Sequence, residues 1–178
     1  MFIPIILGTA RRQRQSEKAA KFVLEEAKRY GFESEIIDVK DYLIGATDNT
    51  KTTEISKKYC DIIKKSDGLI IVSPEYNHGY PGELKLLLDM AYQEYARKPV
   101  GICGVSIGAF GGARVVEQLR QVAVGLHMFP IAGAMYFSFI QNLFGDNGAI
   151  KDKTYIDRTK NFFAELDWYV KTLKQAKK

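Results

Sequence analysis

DGLIIVSPEYNHGYPGELKLLLDM, running from Asp67 to Met90, reads as a buried strand, a rigid polar loop and a helix, in that order. Gly68 to Ser73 is a short apolar run of the kind a fully covered parallel strand needs. Pro74 cannot donate to a sheet ladder, so the strand is expected to stop there. Pro81 suits a helix start, where its missing N–H costs nothing. Leu84, Leu87, Leu88 and Ala91 then fall on one apolar stripe of a helix spanning Gly82 to Tyr95. Between strand and helix lie Glu75, Tyr76, Asn77, His78, Gly79 and Tyr80. Turn formation alone needs neither two tyrosines nor a histidine and a glutamate. Loops that leave a strand for a helix sit at the carboxyl edge of the sheet, where open α/β folds bind ligands.

The same alternation extends in both directions. Phe2 to Leu7 is strand one, followed by a helix from Ser16, a candidate cap, to Tyr30, with Gly31 as its C-cap glycine. Ser34 to Val39 is strand two. A polar loop, Asp41 to Lys51, leads to a helix over Thr53 to Lys65. Pro99 to Val105 is strand four, and Gly111 to Leu126 is the helix after it. Phe129 to Ala134 is strand five, with Pro130 marking an edge position. An aromatic loop from Tyr136 to Lys151 precedes a last helix, Thr154 to Leu173, and the lysine-rich tail from Lys171 to Lys178 is expected to fray. Five strands separated by helices imply right-handed crossovers and a parallel sheet covered on both faces. The expected fold class is α/β, a flavodoxin-like, three-layer, doubly wound five-stranded parallel sheet in the order 2-1-3-4-5. Its switch point brings together the loops after strands one, three and four.

Composition bounds the function. The 178 residues, 46% hydrophobic and 26% charged, suit one globular domain over residues 1–178. No apolar run approaches the roughly 18 residues that span a membrane. The N-terminal MFIPIILG lacks the basic segment and cleavage site of a signal peptide. Cys60 and Cys103 read as reduced core thiols, which suits cytoplasm. No Cys/His spacing resembles a metal site. The net charge of +5 is scattered along helices beside Glu and Asp, a pattern that argues against a nucleic-acid partner. The dense exception is Arg11, Arg12 and Arg14, in the loop after strand one.

That loop, GTARRQRQ from Gly8 to Gln15, runs into Ser16. Hydroxyls at Thr9 and Ser16, guanidinium groups and a helix N-terminus together make an anion site suited to phosphate. It matches neither the P-loop nor the dinucleotide fingerprint. The loop after strand four offers Ser106 and the glycines Gly108, Gly111 and Gly112, where backbone can approach a ligand closely. One phosphate site, one aromatic and amide-rich loop and one bare backbone loop suit a flavin mononucleotide.

GTARRQRQSEKAA, SPEYNHGYPGELKLLLD and VSIGAFGGARVVEQLR resemble the three signature regions of the NADPH-dependent FMN reductase family, which includes azobenzene, quinone and chromate reductases. The resemblance covers Phe2 to about Ala134. It implies that Thr9, Arg11, Arg14, Gln15 and Ser16 hold the FMN phosphate. It also implies that Pro74, Glu75, Tyr76, Asn77, His78 and Gly79 flank the flavin ring, with Ser106 and Gly108 at its other edge. Thr9 departs from the serine common in the family but keeps the hydroxyl. His78 stands at a variable position, often serine, so its role is open between a structural one and proton transfer. The implied activity is hydride transfer from NADPH or NADH through FMN to a small acceptor: an azo compound, a quinone, free flavin or an oxidised metal. No catalytic side chain is required, because the flavin carries the chemistry. A flavodoxin-type electron carrier or an FMN-binding module without turnover is the alternative. The surplus of apolar residues on the helix from Gly82 to Tyr95, with Tyr136, Phe137, Phe139 and Phe144, implies burial against a second copy. A homodimer or homotetramer is therefore expected.

Overall fold

A computed structural model describes residues 1–47 and 50–176. The strands are β1 (Ile5–Leu7), β2 (Ile36–Asp38), β3 (Leu69–Pro74), β4 (Pro99–Val105) and β5 (Phe129–Phe137). They pair in parallel in the order β2-β1-β3-β4-β5, as expected. The helices are α1 (Ser16–Tyr30), α2 (Glu54–Lys65), α3 (Gly82–Leu88), α4 (Ala113–Gly125), α5 (Ile140–Leu143) and α6 (Thr154–Gln175).

Each face of the sheet has its own core. On one side α1 and α6 cover Ile5, Ile70 and Cys103 with Ala20, Val23, Phe162 and Leu166. On the other, α2, α3 and α4 cover Ile6, Ile71 and Ile102 with Tyr59, Leu84, Leu87 and Leu119. β3 and β4 are buried along their whole length, which explains why they read as unbroken apolar runs. Burying one such side chain is worth about 1.5–3 kcal/mol. Both cysteines are free and buried.

Several boundaries differ from the expectations, each for a physical reason. β1 begins at Ile5 because Pro4 has no N–H for the ladder; Phe2 keeps only an isolated bridge to Glu33. β2 is correspondingly short. Pro74 does end β3, but as its last paired residue, opposite Val105. Ser16 is not a cap: Gln15 takes that place with no side-chain bond, and Ser16 is the first helical residue. Thr53 caps α2, its side chain accepting from the Ser56 N–H at 3.2 Å.

α3 stops at Leu88 instead of Tyr95. The chain then turns so that Met90, Ala91 and Tyr95 enter the core, where Tyr95 Oη lies 2.6 Å from Tyr59 Oη. The expected second apolar face of this helix is thus mostly absorbed within the chain. α4 begins two residues late, after Gly111 and Gly112 in the left-handed region. β5 continues to Phe137 because Met135–Phe137 pair with Cys103–Val105 beyond a register shift opposite Gly101. Phe137 and Phe144 are core residues, whereas Tyr136 and Phe139 are exposed. The tail is helical through Gln175. Asp48, Asn49, Lys177 and Lys178, part of the expected loop and tail, lie outside the described residues.

Candidate functional site

The loops after β1, β3 and β4 meet at the carboxyl edge of the sheet and enclose a cavity of about 420 Å³. Arg11, Arg12, Gln13, Arg14, Gln15 and Ser16 line one side. Pro74, Glu75 and Tyr76 line another, and Val105, Ser106, Ile107 and Ile140 close the third. Strand order alone dictates this meeting, because β1 and β3 are neighbours whose crossovers leave in opposite directions.

The loop after β1 is built around two carboxylates. Arg14 is almost fully covered and grips Asp38 at the end of β2, with Nη1 donating to Oδ1 at 2.7 Å and Nη2 to Oδ2. Burial pushes the Asp38 carboxyl up, but the hydrogen bonds from Arg14 and Lys40 outweigh it and hold it below the usual carboxylate range. Burial likewise depresses Arg14, and Asp38 reverses the effect, so its pKa rises. The second carboxylate is Glu83, whose Oε1 accepts from Thr9 Oγ1 and from the Ala10 N–H, each at 3.0 Å. Thr9 itself is fully buried and its hydroxyl also lies 3.3 Å from Tyr76 Oη. Arg11 and Arg12 stay exposed, and Arg11 places its guanidinium 5.7 Å from the Tyr76 ring centre.

Two polar atoms at the start of α1 are buried without partners among the described residues: Ser16 Oγ and Gln15 Oε1. A buried, unmatched hydroxyl costs about 1–3 kcal/mol unless something fills its valence. Here it stands at a helix N-terminus whose first amides have no partner within the helix. That donor set, with the two exposed arginines Arg11 and Arg12, fits a phosphate monoester. The amide oxygen of Gln15 suits a sugar hydroxyl.

After β3 the chain makes a tight two-residue turn. Tyr76 and Gly79 exchange both backbone hydrogen bonds at 2.9 Å, and Asn77 and His78 both take positive φ. Asn77 and His78 are exposed at its tip, and Gln118 of α4 donates to the His78 carbonyl at 2.8 Å. The Glu75 carboxylate is engaged by the start of α4. It accepts the N–H groups of Arg114 and Val115 at 3.1 and 3.4 Å, supplying the cap that Gly112 cannot give to α4. After β4, Ser106 Oγ accepts the Gly108 N–H at 3.0 Å.

Of the residues expected at the site, Arg11, Arg14, Gln15, Ser16, Pro74, Glu75, Tyr76 and Ser106 do line the cavity. Thr9, Asn77, His78, Gly79 and Gly108 lie just outside its lining. Arg14 and Thr9 face protein carboxylates. Gly111 and Gly112 approach protein, since a Cβ on Gly112 would stand 2.7 Å from the Val105 nitrogen. Arg12, Gln13, Val105, Ile107 and Ile140 line the cavity in addition to the expected residues. The arginine cluster signalled the first two, and nothing local signals Ile140, which arrives from α5.

A family model for NADPH-dependent FMN reductases matches residues 1–142. The chain belongs to this family. An NAD(P)H-dependent FMN reductase of Schizosaccharomyces pombe is 35% identical over 136 residues, 71% of this chain and 67% of that protein. A quinone reductase of Pseudomonas putida is 30% identical over 163 residues, 85% and 86% of the two chains. The flavoenzyme NAD(P)H:(acceptor) oxidoreductase FerB from Paracoccus denitrificans superposes with a TM-score of 0.80 at 24% identity, covering 96% of this chain and 97% of its own, and so shares the fold. The chain is an NAD(P)H-dependent oxidoreductase with FMN as its flavin.

Proposed function

We propose that this family member passes reducing equivalents to a small, flat electron acceptor, with a quinone as the leading class. An azo compound, free flavin or an oxidised metal are further acceptors of the same kind. The Pseudomonas putida relative supports the quinone class. The observation that carries the reading is the unpartnered Ser16 hydroxyl at the α1 N-terminus, opposite Tyr76 across one cavity and beside Arg11 and Arg12.

Arg11, Arg12, Gln15 and Ser16 hold the phosphate end. Pro74, Tyr76 and Ser106 border the ring, together with the backbone of Glu75. Thr9, Arg14 and Gly79 act behind this layer, shaping the loops. Asn77, His78 and Gly108 form the outer rim, where an acceptor enters. When bound, FMN supplies the hydride relay between NAD(P)H and the acceptor. The chain's own groups bind, orient and exclude water; no side chain is asked to move a proton. Residues 1–178 work as one flavodoxin-like domain, acting in the cytoplasm as at least a homodimer. Among the described residues no helix is long and apolar enough to cross a membrane.

The test uses purified protein titrated with FMN. It should turn yellow, bleach under anaerobic NADPH, and regain colour on adding a quinone. Steady-state NADPH and NADH oxidation across quinones and azo dyes then ranks the acceptors. Protein that neither retains FMN nor binds it at micromolar concentration refutes the reading. A bleached flavin that no acceptor of the panel reoxidises points instead to the carrier alternative.

A further inference from the structure

Glu83 has no place in the ring and phosphate contacts just described, yet it joins both halves of the cavity wall. It sits in the first turn of α3, and its Oε1 receives the only hydroxyl proton of Thr9 and the backbone N–H of Ala10. A threonine hydroxyl has one proton to give and lone pairs to receive. With that proton committed to a carboxylate, Thr9 Oγ1 can only accept from its other neighbours. These are Tyr76 Oη at 3.3 Å and the Arg11 N–H at 3.3 Å. The direction of the chain is therefore set: Tyr76 donates to Thr9, and Thr9 donates to Glu83. Bonds to an ionised acceptor are the stronger kind.

We propose that Glu83 is a positioning residue for FMN, holding the phosphate loop and the Tyr76 ring in their receiving arrangement through Thr9 and Ala10. The proposal deepens the functional reading above and rests on it. One carboxylate oxygen fixes the Ala10 amide directly, the Arg11 amide through Thr9, and the rotation of Tyr76 through the same hydroxyl. Arg11 in turn lies over the Tyr76 ring. Tight packing holds Glu83 itself in place. A Cβ on Gly8 would stand 2.9 Å from Leu84 Cδ2 and 3.2 Å from the Val72 carbonyl, so the first turn of α3 rests directly on the exit from β1. Removing the carboxylate would leave the buried Thr9 hydroxyl free to turn toward Tyr76 and would release the loop backbone.

The test compares wild type, Glu83→Ala, Glu83→Gln, Tyr76→Phe and the Glu83→Ala/Tyr76→Phe double variant. Two readouts are used: FMN Kd by quenching of flavin fluorescence, and amide hydrogen exchange of residues 8–16 in flavin-free protein. Glu83→Ala should raise Kd at least about tenfold, the scale expected for losing two charge-assisted bonds. It should speed exchange in residues 8–16 while leaving α6 unchanged. Glu83→Gln keeps an acceptor oxygen, so its Kd should stay within about threefold of wild type. Tyr76→Phe should weaken binding in wild type but much less in the Glu83→Ala background, since coupled residues are not additive. The proposal is overturned by wild-type affinity and unchanged loop exchange in Glu83→Ala. It is equally overturned by a Glu83→Gln loss as large as that of alanine, or by additive effects in the double variant. Wild-type protein that binds no FMN would instead overturn the reading of the site, and that result involves no variant.

Discussion

Arg11 and Arg14 share one loop and one charge but do different work. Arg14 is sealed against Asp38 and spends its donors on protein, whereas Arg11 reaches over Tyr76 at the cavity mouth. Arg11→Ala should therefore weaken FMN by about 1.5–3 kcal/mol, the loss of a charge-assisted contact, which is at least about tenfold in Kd. Riboflavin, which lacks the phosphate, should barely respond; equal losses measured by fluorescence titration would take Arg11 off the phosphate. The Asp38 partner predicts a pH effect. Its folded carboxyl binds a proton less readily than the unfolded one. The stability it contributes is thus complete above the ordinary carboxylate pKa of about 3.9 and is lost as pH falls through the lowered value. Urea unfolding below pH 5 should show Asp38→Asn less stable than wild type, with the gap closing as acid is added; a gap that widens in acid would contradict the pairing. Residue types sufficed to point to the three loops that meet at the cavity, because hydroxyls, arginines and a helix start converge on few ligands, but Thr9, Asn77, His78, Gly79 and Gly108 lie outside its lining. The residues' individual duties were not legible, since Asp38 and Glu83 come from distant elements and claim Arg14 and Thr9.

The elements repeat this division. Apolar runs and helical stripes sufficed to place all five strands and the long helices, because burial on two faces leaves a strong periodic signal. Boundaries failed where a tertiary contact decides. α3 ends early because Tyr95 is drawn to Tyr59, and β5 runs long because the register shift opposite Gly101 lets Met135–Phe137 resume pairing. The glycines after β4 show a right feature with a different cause. Gly112 has φ +85°, and a side chain there would press on the Val105 nitrogen and on the Gly104 carbonyl carbon at 2.9 Å. Strain of this kind costs about 1–3 kcal/mol before any clash is counted. Gly112→Ala should accordingly lower the urea midpoint by more than the Gly125→Ala change, where nothing lies within 4 Å of an added Cβ. Equal midpoints would mean that the α4 start tolerates displacement, and with it the Glu75 cap.

At the scale of the whole molecule, exposed apolar side chains are spread over the surface, among them Val124 on α4 and Trp168 on α6, but one group stands on the loops beside the cavity. Ile107 and Phe110, after β4, are 72% and 69% exposed, and Phe139, before α5, is 52% exposed. They belong to one patch: the Phe139 N–H donates to the Gly108 carbonyl at 3.3 Å, and Ser138 Oγ donates to the Ala109 carbonyl at 2.7 Å. Apolar side chains grouped in this way mark an interface more often than bare solvent contact. α3 offers little apolar surface to a partner, since Leu84, Leu87 and Leu88 are buried within the chain. We therefore propose that a second copy covers the Ile107, Phe110 and Phe139 rim and so walls the mouth of the flavin cavity. Sedimentation at micromolar concentration should show no dominant species at the monomer mass of 20.1 kDa. Phe110→Ser should shift the distribution toward monomer and broaden the range of acceptors turned over, because the wall on the cavity mouth is gone. A wild-type monomer with full activity would remove both the assembly and the shared wall. A Phe110→Ser dimer with unchanged acceptor preference would place the interface elsewhere on the surface.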